Sequence, residues 1–218
     1  MKQIFKNKEP KSLIEHRSKG GKFDDLKKDE LRECLLNEQG YICCYCMKRI
    51  PESSNNPGCK IEHFKSQSQY EDLQLEYSNM LTSCMGGEGE PSQMHTCDTA
   101  KKDKELFFNP ANPTINIEEF TKYNPFGEIY SLNDQLNKEL NEALKLNIQP
   151  LIKRRKQIYD MIYKNIIIEG KRRCEKHIQK RYYEKEKERL LSKNKNGKFP
   201  EYCMVGVYLI NKKLKKLV

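Results

Sequence analysis

No apolar stretch in these 218 residues approaches the roughly 18 needed to cross a bilayer. The lysine-rich start, Met1 to Lys11, also lacks the continuous apolar segment of a secretory signal. The cytoplasm is therefore the expected address, with no membrane partner. The phosphate-binding pattern G-x-x-x-x-G-K-S/T is missing, so any dependence on ATP has to come from another chain. With neither an internal repeat nor a long low-complexity linker, the sequence fits one compact domain, or one small module with a helical extension. Histidine is scarce: there are four, and His16 and His177 have no supporting neighbours.

Nine cysteines stand out instead. In a small secreted chain such a count suggests disulfides. Here the count is odd, the secretion signal is missing and several cysteines sit at metal-ligand spacing, so thiolate coordination is the expectation. Twelve Tyr and eight Phe argue against wholesale disorder, although 33% charged residues imply much solvated helix surface. That charge is uneven. Residues 1–150 carry 20 Lys/Arg against 24 Asp/Glu and residues 151–218 carry 21 against 7, giving net charges of −4 and +14. A basic segment of that density favours a polyanion, because each Lys or Arg beside a phosphate releases condensed counterions. A solvated helix face that meets an acidic partner protein is the alternative.

Residues 29–39 predict a helix with Leu31, Cys34, Leu35 and Leu36 near one face, Asp29 as N-cap and Gly40 as the stop. From Tyr41 to Asn112 the chain is punctuated by Pro51, Pro57-Gly58, Gly86-Gly87, Gly89 and Pro91, which leaves room for a short hairpin and one or two short helices. Glu128 to Leu132 predicts a short strand. Leu132, Leu136, Leu140 and Leu144 then recur at helical spacing as far as Pro150, expected to break that helix. Leu151 to Lys193 predicts a basic helical stretch with Ile158, Ile162 and Ile166 on its apolar face, and Cys203 to Leu217 a final amphipathic helix.

Chemistry concentrates between residues 43 and 101. Cys43-Cys44-Tyr45-Cys46 contains a C-x-x-C pair, Cys43 and Cys46, in which Cys44 could replace Cys43. Cys84 and Cys97, at a wider spacing than the usual knuckle, complete a tetrahedral set of four cysteines for zinc; unliganded core thiols are the alternative. Cys34, Cys59, Cys174 and Cys203 read as ordinary small buried residues. Between the two pairs stand Ile61-Glu62-His63-Phe64 and Tyr77-Ser78-Asn79, and Asp98-Thr99-Ala100-Lys101 follows the last cysteine. His95, two residues before Cys97, reads as a loop histidine or as a substitute metal ligand.

This order resembles the HNH (ββα-metal) nuclease family, whose pattern is an acid or histidine before the catalytic histidine, a central asparagine, and a metal-ligand position just after the last zinc cysteine. Asp98 stands where many members carry a third histidine, and a carboxylate suits a hard divalent ion. The run from Leu35 to Cys46, the Glu62-His63-Phe64 step, Tyr77-Ser78-Asn79 and Cys97-Asp98-x-x-Lys101 are similar to the PtuB-type HNH proteins of Septu and related retron anti-phage systems. The resemblance covers about residues 1–112, and the remainder matches in general character only.

The resemblance implies an α+β but mostly helical fold. A zinc-stapled ββα-metal (HNH) module, residues 1–112, would be embedded in helices, and residues 113–218 would form a basic helical region. Glu62 and Asp98 would hold one Mg2+ or Mn2+ against the scissile phosphate, His63 would act as general base, and Asn79 would orient the loop or the imidazole. In family members the products carry 5′-phosphate and 3′-hydroxyl ends. Residue chemistry agrees: an imidazole can take a proton from water, and a divalent cation can neutralise the phosphoryl and leaving oxygens. DNA is the substrate expected on family grounds, with tRNA or another RNA as the alternative. An SMC/ABC-type ATPase resembling PtuA is the implied partner.

Nucleic-acid contacts are expected from Lys101 and Lys102 and from the basic clusters holding Arg154, Arg155, Lys171, Arg172 and Arg173, each weighed against a simple solvated face. Tyr182-Tyr183 could stack on bases or pack in the core. Against the enzyme stands a non-catalytic zinc module that binds nucleic acid or a partner protein, in which Glu62, His63 and Asp98 do not meet at one cation.

Overall fold

The computed structural model describes residues 1–51 and 58–217, so the turn signal at Pro57 lies outside the described residues. After helix α1 (Lys11–Ser18), helix α2 (Asp29–Gln39) buries Leu31, Leu35 and Leu36 and leaves Cys34 half-buried at the edge of that face. Asp29 is the first helical residue rather than the cap: Lys28 precedes it without a side-chain cap bond, and Asp29 and Glu30 put negative charge on the positive end of the helix dipole. Gly40 ends α2 in the left-handed region at φ 58°, with Tyr41 N donating back to the Leu36 carbonyl at 2.9 Å. A Cβ at Gly40 would collide with the Phe199 ring, so the stop is also where the C-terminal part packs down.

Strand β1 (Cys59–His63) pairs antiparallel with β2 (Met80–Cys84), in register from Cys59 opposite Cys84 to His63 opposite Met80. The connection between them folds into two short 3-10 turns, Glu71–Leu73 and Tyr77–Asn79. A glycine-rich loop then leads into the short helix α3 (Cys97–Lys101), which closes a β-β-α unit. Every residue of β2 is buried. Successive side chains of a strand point to opposite faces, and accordingly Met80 joins a small core with Leu13, Phe23, Leu31 and Leu35, while Leu81 joins the large core.

Beyond this unit come α4 (Ile117–Phe120), the strand pair β3 (Lys122–Tyr123) and β4 (Ile129–Tyr130), and α5 (Asp134–Lys138) with a π-helical extension, Glu139–Ala143. Leu136, Leu140 and Leu144 are buried as their spacing predicts, but Leu132 precedes the helix and is exposed. Pro150 does not break that helix, which has already ended at Ala143. It is the second residue of α6 (Gln149–Ile162), where a missing N–H costs nothing because the first-turn donors have no helical acceptor.

The expected stretch from Leu151 to Lys193 is two helical segments. Helix α6 continues through the π-helical Tyr163–Ile168 into α7 (Glu169–Lys171), the chain turns at Arg172 to Glu175, and α8 (Lys176–Leu191) follows. Cys174, expected to be buried, is exposed at that turn. The last helix, α9 (Cys203–Leu214), buries Cys203 through Val207, Leu209 and Ile210. It crosses α8 closely at Gly206, where a Cβ would meet Leu190 at 2.6 Å. Each Leu, Ile or Val removed from water here contributes roughly 1.5–3 kcal/mol.

Among the described residues the architecture is thus mostly helical with two small sheets. The large core runs across residue 112, joining Tyr45 and Phe64 to Leu140, Val205 and Ile210. No helix among the described residues is long and apolar enough to cross a membrane.

Candidate metal centre and active site

The knuckle Cys43–Cys46, the end of β2 and the start of α3 converge on one buried point. The sulfurs of Cys43, Cys46, Cys84 and Cys97 all lie within 4.8 Å of one another. Sγ–Sγ separations are 3.8 Å for Cys43 and Cys97, 3.7 Å for Cys46 and Cys84, and 3.8 Å for Cys84 and Cys97. A tetrahedral zinc ion bound at about 2.3 Å holds its sulfurs about 3.8 Å apart, whereas a disulfide needs about 2.05 Å. The set could therefore hold a zinc ion as it stands. Crowding also shows in its electrostatics: despite burial, the neighbouring thiols stabilise Cys43 as a thiolate, and that charge helps hold Cys46 and Cys97 well up as thiols. Cys44 is outside the four-sulfur set, and His95 bonds the Glu90 carbonyl of its own loop at 2.9 Å.

Cys84 and Cys97 are 13 positions apart, so local sequence does not bring them together; the β-β-α turn does. The same turn brings Asp98 to Glu62. Glu62 is only 2% exposed, and burial holds its carboxyl well above the usual carboxylate range. Asp98 within hydrogen-bond reach pushes the same way, and Lys101 opposes it. Two carboxyl groups forced together with little water are a donor set that a hard divalent cation fits, since the cation would offset their repulsion. Asp98 keeps some exposure, with Lys60 Nζ at 3.8 Å.

His63, the last residue of β1, sits edge-on to Phe23 with ring centroids 4.4 Å apart. Its Nε2 lies 2.9 Å from the Gln74 carbonyl oxygen. Burial pushes its pKa below the ordinary imidazole value; the Gln74 bond and the acids Asp98 and Asp24 resist, and Lys101 assists. Beside it an open cleft of about 590 Å³ is lined by Lys22, Asp24, Gln67, Ser68, Glu71, Gln74 and Asp103. Asn79 does not bond the imidazole. Its Oδ1 accepts from Lys65 N at 2.8 Å and its Nδ2 donates to the Lys65 carbonyl at 3.0 Å, while its own carbonyl accepts from Phe64 N at 2.9 Å. It clamps the chain leaving His63.

The expected nucleic-acid contacts divide. Lys102 and Lys171 face solvent, and so do Arg154, paired with Glu201, and Arg172, paired with Glu169 at 2.6 Å. Arg173 is half-buried over the Tyr182 ring, 4.0 Å from its centroid. Tyr183 packs in the core and donates to the Ile167 carbonyl at 3.0 Å.

Two of the seven do not reach the surface. Arg155, 1% exposed, spends its guanidinium on the carbonyls of Gly127 and Leu146, both at 2.7 Å, and on Asn147 Oδ1 at 2.9 Å. Lys101, also 1% exposed, places its ammonium 2.7 Å from Glu62 Oε1 and 2.9 Å from the His63 carbonyl. Neither can touch a phosphate from there. Lys101 belongs to the site itself. Its spacing of three from Asp98 puts both on one face of α3, but only the fold brings Glu62 to its ammonium. Tyr45, whose hydroxyl donates to Glu62 Oε1 at 2.7 Å, had no comparable signal inside its cysteine run.

No family model matches the chain. Over 154 residues it is 30% identical to a protein of Vibrio cholerae serotype O1 biovar El Tor named "Retron Vc95 putative HNH endonuclease", an alignment that covers 65% of this chain and 69% of that protein.

Proposed function

The chain belongs to the HNH endonuclease family, and from that membership we propose that it is a divalent-cation-dependent nuclease whose general base is His63. The observation that supports the reading is Asp98 of α3 brought within hydrogen-bond reach of the buried Glu62, with His63 the next residue along β1 and the four-cysteine cluster ending at the adjacent Cys97. Glu62 and Asp98 would hold Mg2+ or Mn2+. When bound, such an ion supplies charge neutralisation at the phosphoryl and leaving oxygens. His63 takes a proton from water at Nδ1, the nitrogen left bare when Nε2–H donates to Gln74. Asn79 keeps the chain after the base in place.

DNA is the proposed substrate, read through the exposed basic residues Lys102, Arg154, Lys171 and Arg172. The relative is named for a retron. From the motif resemblance to PtuB-type proteins we further propose a role in anti-phage defence, as the nuclease beside a PtuA-like ATPase.

A second reading has one observation in its favour. Lys101 already closes an ion pair on Glu62, which suits a purely structural core and a non-catalytic zinc module.

The test is a time course of plasmid cleavage with Mg2+ or Mn2+, beside His63→Ala and a chelator control, with zinc content matched. We expect cleavage that falls about 10²–10⁴-fold in His63→Ala, the usual worth of a general base. Silence with plasmid moves the assay to total tRNA and to the co-purified ATPase partner. Silence there too leaves the zinc module.

A further inference from the structure

Tyr45 and Lys101 both grip Glu62 by the same oxygen. Its Oε1 accepts from the Tyr45 hydroxyl at 2.7 Å and lies 2.7 Å from Lys101 Nζ. Tyr45 is fully buried and stands in the knuckle between Cys44 and Cys46, so the place of its phenol is set by a loop whose ends are two of the four clustered thiols. Lys101 comes from α3, one turn beyond Cys97 and on the same side as Asp98. Its ammonium is tied down as well, donating to the His63 carbonyl at 2.9 Å.

We infer that Tyr45 and Lys101 are positioning residues: they fix Glu62 by Oε1, leave Oε2 for a cation shared with Asp98, and couple that cation to the zinc knuckle. The inference rests on the nuclease reading. A glutamate has three side-chain torsions to freeze before it can serve as a ligand, and two bonds to one oxygen freeze them in advance. Oε1, occupied twice, has no room for a metal, which defines the ligand as one oxygen from Glu62. The Lys101 bond to the His63 carbonyl ties the strand end that bears the base to the same ammonium. Positions of the cation-binding carboxylate and of the base are thereby set by one buried group. Partners that orient a ligand in this way typically change metal affinity 10–100-fold when removed.

The experiment uses the full zinc-loaded chain and Mn2+ as the probe, with free Mn2+ followed by electron paramagnetic resonance. Wild type, Glu62→Gln, Asp98→Ala, Tyr45→Phe and Lys101→Met are titrated in parallel, each with its zinc content and circular dichroism recorded. Tyr45→Phe removes one hydroxyl and keeps the ring, so it stays informative even where Lys101→Met fails to fold.

We expect wild type to bind one Mn2+ that Glu62→Gln and Asp98→Ala abolish, and Tyr45→Phe to keep its zinc while binding Mn2+ about tenfold more weakly. Excess Mn2+ should then return its cleavage rate to that of wild type. Wild-type affinity in Tyr45→Phe overturns the positioning role and leaves the nuclease reading standing. Wild type that binds no Mn2+, or binding that survives Asp98→Ala, overturns the metal site itself and the inference with it.

Discussion

The imidazole of His63 presents Nε2 to the carbonyl oxygen of Gln74 at 2.9 Å. A carbonyl can only accept, so the proton of the neutral ring resides on Nε2 and the lone pair on Nδ1. The ring of Phe23 packs edge-on against the imidazole. At neutral pH, nitrogen-15 correlation spectra of the imidazole are expected to show a protonated Nε2 and a bare Nδ1. A ring protonated at Nδ1 would remove Nδ1 as the base and reverse its assigned orientation.

The four thiols make a separate prediction about metal. Purified chain should carry one zinc, which Cys97→Ser should lose and Cys44→Ser should keep, because Cys44 is outside the four-sulfur set. Structural zinc sites contribute folding energy directly. If Cys97→Ser costs about 3 kcal/mol or more, the melting temperature falls by about 10 °C, at roughly 2–4 °C per kcal/mol for a chain of this size. Elemental analysis and calorimetry check both. Equal zinc in Cys43→Ser and wild type would mean that Cys44 takes its place.

Asn79 is expected to matter through the backbone it holds. Its amide bonds both the N–H and the carbonyl of Lys65, so Asn79→Ala strips two partly buried backbone groups of their partner, at about 1–3 kcal/mol for each one left unsatisfied. We expect a melting temperature lower by several degrees and a cleavage rate reduced together with it. Asn79→Ala with wild-type thermal stability would show that water replaces the clamp at no cost.

The parts of the molecule legible in sequence are those where local chemistry dictates residue type. Ligand chemistry requires cysteines, so the four-cysteine cluster stands in the sequence as four residues, and a helix that must end in the left-handed region announces itself by Gly40. The illegible parts depend on what arrives from far along the chain. Lys101 reads as one of several lysines until β1 is laid against α3 and Glu62 receives its ammonium. Arg155 is indistinguishable from Arg154 and Lys156 until Gly127 and Leu146 bring their carbonyls to it. The periodicity after Leu151 likewise runs on through a turn, because Tyr183 packs onto Gly170 and folds α8 back onto the preceding segment.

Arg155 and its neighbours further along the basic segment should therefore separate stability from binding. Arg155→Ala leaves the carbonyls of Gly127 and Leu146 buried without a donor, at about 1–3 kcal/mol each, and should lower the melting temperature well beyond 2 °C. Lys171→Glu with Arg172→Glu should leave the melting temperature within about 1 °C, since both side chains are exposed. It should weaken DNA binding uniformly across sequences and reduce the slope of log affinity against log salt by about 1 for each phosphate that is no longer neutralised. Fluorescence anisotropy at several salt concentrations measures that slope. An unchanged slope in the double variant would assign the charge of α7 and the turn after it to solvation, or to an acidic partner protein, and shift the search for the nucleic-acid path to the exposed Lys102.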